Sequence, residues 1–180
     1  MKRIFSILVL MLALCSVKLY AQPKMIVGDR HSIFVNMPTD WLQAQHEALP
    51  FFIKPNAPNV SDMTYLYVYG IDYSSSPELD KWIEGNNAYV VDNFEGVILG
   101  ELDIKLDNIV PDDFLTGKYK TITYTYTNGR MEALVIIELN HTIATIVLST
   151  NGKAEFEKYL PSLIEVAKSF RALDVLVKRG

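Results

Sequence analysis

Chemistry needs polar side chains that converge, and few residues of this 180-residue chain have the spacing for it. His31, His46 and His141 are far apart, and none belongs to a His-x-x-x-His or acid-spaced arrangement, so they give no zinc site. Pro111-Asp112-Asp113 offers neighbouring carboxylates, but a calcium loop needs alternating acids and a closing glutamate, and a turn is the simpler reading. Asp103 and Asp107 fall on the same side of an alternating segment. Such a pair does acid and base work only in a cleft that drives its pKa values apart, so a hydrolase is the weakest function to consider and a solvated face the stronger one. There is no Gly-x-Ser-x-Gly elbow and no glycine-rich phosphate loop. The single cysteine, Cys15, lies in a segment expected to be removed, which excludes a thiol nucleophile from the mature chain. No catalytic residue, metal ligand or cofactor site follows from these residues.

Binding chemistry is better represented. Tyr65, Tyr67, Tyr69, Ile71 and Tyr73 recur at period two, with Leu66 and Val68 on the opposite side, and Tyr124 and Tyr126 share a face with Ile122 in a second run. Tyrosine combines a large apolar ring with a polar tip, which suits an interface or a ligand groove. The competing expectation is that helices cover this face and the hydroxyls reach water at its rim. The six tyrosines 65, 67, 69, 73, 124 and 126 are the candidate binding face, and the proline-bearing loop from Pro55 to Ser61 is the second candidate.

The elements that must position these residues begin after a leader. Met1-Lys2-Arg3, the apolar run Ile4 to Ser16 and a small residue at Ala21 form a secretory pattern, with cleavage expected after Ala21. The run is shorter than the roughly 20 residues that span a bilayer, and Lys18 interrupts it. Lipidation at Cys15 would need a small residue before it, where Leu14 stands. The expectation is an exported bacterial protein, periplasmic or extracellular, with residues 22–180 forming one disulfide-free domain. The formal charge is −4 for the whole chain, and removing Lys2, Arg3 and Lys18 leaves 14 − 21 = −7. An acidic surface disfavours nucleic acid and anionic lipid, and no second apolar segment is long enough to span a membrane.

Within that domain a strand is expected over Ile33–Pro38, with Trp41-Leu42 folding onto the core and a proline-bracketed edge strand over Leu49–Lys54. The Thr64–Tyr73 strand leads to a helix capped from Ser74-Ser75-Ser76 and weakened at Gly85-Asn86-Asn87. Alternation of Leu102, Ile104 and Leu106 predicts a strand from Val97 to Asp107. Tyr119–Thr127, Arg130–Leu139 and Thr142–Ser149, joined at Asn128-Gly129 and Asn140-His141, read as an antiparallel meander. Phe156, Tyr159, Leu160, Leu163, Ile164, Ala167 and Phe170 mark a closing helix that Pro161 should kink or split.

Two segments, Ile33-Phe34-Val35-Asn36-Met37-Pro38-Thr39-Asp40-Trp41 and Phe156-Glu157-Lys158-Tyr159-Leu160-Pro161 with Ser169-Phe170, together with this element order, resemble the Mog1/PsbP superfamily. The resemblance covers nearly all of residues 22–180 and rests on short structural motifs. It implies an α+β fold, an antiparallel sheet flanked by helices on both faces (an α/β/α sandwich), and action through binding. Superfamily members include a nuclear-transport accessory protein, extrinsic photosystem II subunits and bacterial periplasmic proteins and chaperones, whose partners differ so completely that no binding residue transfers. The function expected is an exported, non-enzymatic binding or accessory domain for a protein or small-molecule ligand. An immunity-like or chaperone-like protein for one exported partner is the alternative, for which the acidic surface suits a basic target.

Overall fold

A computed structural model describes residues 23–174, so the expected leader, its cleavage after Ala21, and Cys15 lie outside the described residues. The elements are β1 (Pro23–Val27), β2 (His31–Asn36), β3 (Trp41–Gln43), β4 (Phe51–Pro55), β5 (Tyr65–Asp72), α1 (Leu79–Asn93), β6 (Ile98–Glu101), β7 (Leu115–Thr125), β8 (Arg130–Leu139), β9 (Thr142–Asn151), α2 (Lys153–Ser169) and β10 (Arg171–Asp174). Every strand pairing is antiparallel. Seven strands form one sheet in the order β3-β4-β5-β9-β8-β7-β6, and β1-β2-β10 form a second. Among the described residues no helix is long and apolar enough to cross a membrane.

Strands β8 and β9 lie in the middle of the large sheet and are buried along almost their whole length, which is why they read as continuous apolar runs. Pleating divides their side chains between two cores. Ala133, Val135, Ile137 and Leu139 of β8 join Ala144, Ile146 and Leu148 of β9 and the buried stripe of α2: Phe156, Tyr159, Leu163, Val166 and Ala167. The small sheet adds Ile26, Ile33, Val35 and Ala172 to that same cluster. The alternate residues, Leu134 and Ile136 of β8 and Ile143 and Val147 of β9, join Ile122, Tyr124 and Tyr126 of the β7 region and the three buried residues of α1, Leu79, Ile83 and Val90. At about 1.5–3 kcal/mol for each buried large aliphatic side chain, α1 gains much less from packing than α2.

Polar ties supplement the thin apolar stripe of α1. The expected serine cap is absent: Glu78 holds the N-cap position with no side-chain cap bond, and the Leu79 N–H instead donates to Glu138 Oε2 of β8 at 2.7 Å. A buried carboxylate at the positive end of the helix dipole replaces the local hydroxyl. Gly85-Asn86-Asn87 does not interrupt the helix, because Asn86 Nδ2 donates to the Tyr124 hydroxyl at 2.6 Å and that hydroxyl donates to Asn87 Oδ1 at 2.7 Å.

Other expectations are corrected by pairing that only the tertiary fold supplies. Strand β4 is not an edge, since β3 pairs with it through Trp41 and Pro55, leaving its prolines at or beyond its ends. Trp41 is buried, but Leu42 points to solvent. The strand expected from Val97 to Asp107 stops at Glu101. Beyond it the chain is irregular, although Leu102, Ile104 and Leu106 still pack on the α2-side core. Helix α2 continues through Pro161 without splitting. Strands β1 and β10 were not expected. The meander is as anticipated; in its first turn Gly129 takes a left-handed conformation (φ 87°) and the Tyr126 N–H to Arg130 C=O bond closes the turn.

Candidate functional site

The six candidate tyrosines project from the same side of the large sheet, and the structure divides them into two groups. Tyr124 and Tyr126 are buried beneath α1, where the Phe94 ring meets Tyr126 edge-on at 5.1 Å. Tyr65, Tyr67, Tyr69 and Tyr73 are half-buried, and Tyr67, Tyr69 and Tyr73 pack against the edge of the α1-side cluster. Cover is therefore full for one pair and partial for the row on β5.

On β5 the rings form a ladder that extends onto β4. His46 and Phe52 are 5.2 Å apart between centroids, Phe52 and Tyr65 5.0 Å, Tyr65 and Tyr67 6.0 Å, and Tyr67 and Tyr69 5.9 Å with planes 20° apart. Exposed Leu42, Met63 and Ile71 lie around this row in sequence and register. At its far end Tyr73 shares a cavity of about 230 Å³ with Pro77, Glu78, Lys81 and Trp82.

Beside the aromatic residues, on the same face, lies an ion pair that the sequence reading does not single out. Arg130 Nη2 donates to Glu132 Oε1 at 2.5 Å, Tyr126 Oη donates to Glu132 Oε2 at 2.7 Å, and the guanidinium lies 4.4 Å from the Tyr126 ring centre. Cross-strand pairing sets Tyr65 opposite Ser149 and Ser149 opposite Glu132, so the pair and the ladder belong to one continuous surface. Burial, then the negative charge of Glu132, pushes the Tyr67 phenol well above its usual value. Burial likewise pushes Tyr124 up to about 12 and, together with the Glu132 bond, raises Tyr126. These phenols stay protonated hydrogen-bond donors at any physiological pH. The sequence signal for the ion pair was available: Glu132 and Glu138 interrupt the otherwise apolar β8 run on its α1 side.

The remaining candidates do not converge. His46 stacks near Phe52, and His141 lies in the β8–β9 turn, its carbonyl accepting the Tyr73 N–H at 2.8 Å. His31 is buried and pairs with Asp72 at 2.7 Å. Among the described residues no group of three or more histidines, cysteines, aspartates and glutamates is placed to hold a metal. Asp112 turns inward on its own loop, Oδ1 accepting the Phe114 and Leu115 N–H groups. Asp107 pairs with Lys105 at 3.0 Å on the surface, and Asp103 is exposed, so the two form no buried acid pair. The Pro55–Ser61 loop is held from behind by α2, with Glu155 accepting the Ser61 N–H and the Thr64 hydroxyl. A larger cavity of about 870 Å³ lies away from all of these, between β2, β10 and the end of α2, with Lys168 and Arg171 at its wall.

No protein-family profile matches this chain, and no curated protein matches it. Among solved structures it is similar to the solution structure of cyanobacterial PsbP (CyanoP) from Synechocystis sp. PCC 6803, at 15% sequence identity, with 88% of this chain and 97% of that chain covered and a TM-score of 0.53. At that identity the likeness concerns the fold alone, and this chain has a PsbP-like fold.

Proposed function

We propose that this protein is an exported, non-catalytic accessory domain of about 159 residues after leader removal, which binds a protein partner or small ligand on the open half of its aromatic face. The two helices are read as outer layers of an α/β/α arrangement, with the small sheet set beside α2. The observation that carries the proposal is the row Tyr65, Tyr67 and Tyr69, in ring contact along its length, anchored on buried Phe52 and only half-buried where Tyr124 and Tyr126 are fully covered. Large half-buried aromatic rings have much apolar area to lose to a partner and little side-chain entropy to surrender. Arg130 beside them, part-exposed and held by buried Glu132, gives a partner a cation that needs no rearrangement.

The test is capture of ligands from the envelope fraction of the native host by tagged protein, comparing wild type with Tyr67→Ala/Tyr69→Ala after circular dichroism shows the double variant folded. Binding by wild type that drops at least about tenfold in the variant supports the proposal. Equal capture by both removes the aromatic face from consideration.

A further inference from the structure

The large sheet ends at β6, and that end is unprotected. All four residues, Ile98-Leu99-Gly100-Glu101, are exposed, including Ile98 at 67% and Leu99 at 42%. Edge strands are normally guarded by lysine, proline, a bulge or a covering loop, and among these four residues Glu101 is the one such guard. Its charge stands near Lys120 of β7.

The backbone shows which groups are free. Leu102 N–H donates to Thr121 C=O at 3.0 Å, and antiparallel hydrogen-bonded pairs recur every second residue, so Gly100 and Ile98 direct their amides toward β7. Leu99 and Glu101 therefore direct theirs outward. The apolar margin continues onto α1: the Asp80–Lys120 ion pair turns one helix flank toward β7, and Val91, eleven residues on, lies on that flank and is 50% exposed. Phe94, against Tyr126, is 39% exposed.

We infer that β6 is a self-association strand, pairing antiparallel with β6 of a second copy about a two-fold axis through Leu99 and joining the two large sheets into one. Side-chain faces must match across a pair, which restricts the two-fold centre to particular residues. Centred on Leu99, the register places Leu99 against Leu99 and sets Ile98 opposite Gly100 of the second copy. That is a non-hydrogen-bonded position, where side chains approach most closely and glycine leaves room for the branched residue. Leu99 N–H then meets Leu99 C=O in both directions, and Glu101 N–H meets the C=O of Val97. Centring on Gly100 would instead oppose Leu99 with the charged Glu101.

Sedimentation equilibrium on the purified protein from about 1 to 500 μM reads the association by mass action. A concentration-dependent dimer is expected. Leu99→Lys, which brings two ammonium groups together at the axis, should weaken it at least about tenfold, as should Leu99→Pro, which deletes an outward amide that β7 does not use. In a Cys15→Ala background, Leu99→Cys should cross-link on oxidation, because a hydrogen-bonded pair spaces its Cα atoms about 5.5 Å apart, within disulfide reach. Leu42→Cys, exposed on the opposite edge, should not. A monomer at every concentration, or a dimer that Leu99→Lys leaves intact, overturns the inference.

Discussion

The two faces of the seven-stranded sheet are built to different rules. Toward α2 and the small sheet the core is apolar almost without exception, with Trp41 meeting Tyr159 edge-on at 5.5 Å and donating from Nε1 to Ser162 Oγ at 3.0 Å. Toward α1 the same sheet buries Glu132 and Glu138 with two tyrosines, and leaves the tyrosines of β5 half-buried. A buried carboxylate needs paid-up partners to be tolerated, and each here has them. Stability is concentrated on the first face. The second gives up packing for defined polar geometry and a partly covered aromatic surface.

That contrast is broken most severely from the packed side. Trp41→Ala is expected to cost about 3–5 kcal/mol in urea unfolding, since it empties a fully enclosed site and orphans the Ser162 hydroxyl. On the α1 side, Glu138→Ala is expected to cost about 1–2 kcal/mol, the usual scale for losing a helix cap, and its partner Lys118 is exposed enough to be resolvated. Smaller and confined to acid is the effect of Asp72. Burial alone would raise its pKa, but the Thr142 hydroxyl, the His31 ring and the Arg30 N–H together hold it below 3.8. Its ionised form thus stabilises the fold above that pH, and the contribution disappears as pH falls through the lowered value. The stability curves of wild type and Asp72→Asn should converge below pH 3.8 and separate above it. The smallest change is Tyr67→Phe, expected within about 0.5 kcal/mol of wild type, because the half-buried ring keeps its contacts when the hydroxyl is removed. A loss much above that would mean the open half is core after all.

Periodicity and turn chemistry carried much of the fold. The alternation in Thr64–Tyr73, the Asn128-Gly129 turn and the three-four stripe of α2 each depend on neighbours a few residues away, and each was legible. What was missed depends on residues far apart in sequence. Asn86 and Asn87 look like helix weakeners until Tyr124, nearly forty residues later, is seen to bond both. The 102–107 alternation is real burial without a partner strand beyond Glu101. Strand β10 exists because β2 offers it an edge. The tyrosines of the candidate face were found by pattern, but that two are fully buried and the others only half-buried follows from where a helix docks, which no local pattern encodes.

Helix α1 also has a place in the timescales of the molecule. It contributes three buried residues to the fold, is capped by a glutamate on another element and is tied at its middle through one phenol. Such an element opens as a unit at lower free energy than the strands beneath it, so its amides should exchange with deuterium well before those of β8 and β9. During each opening Ile122, Leu134, Ile136 and Val147 meet solvent, and the aromatic surface briefly extends across the whole width of the sheet.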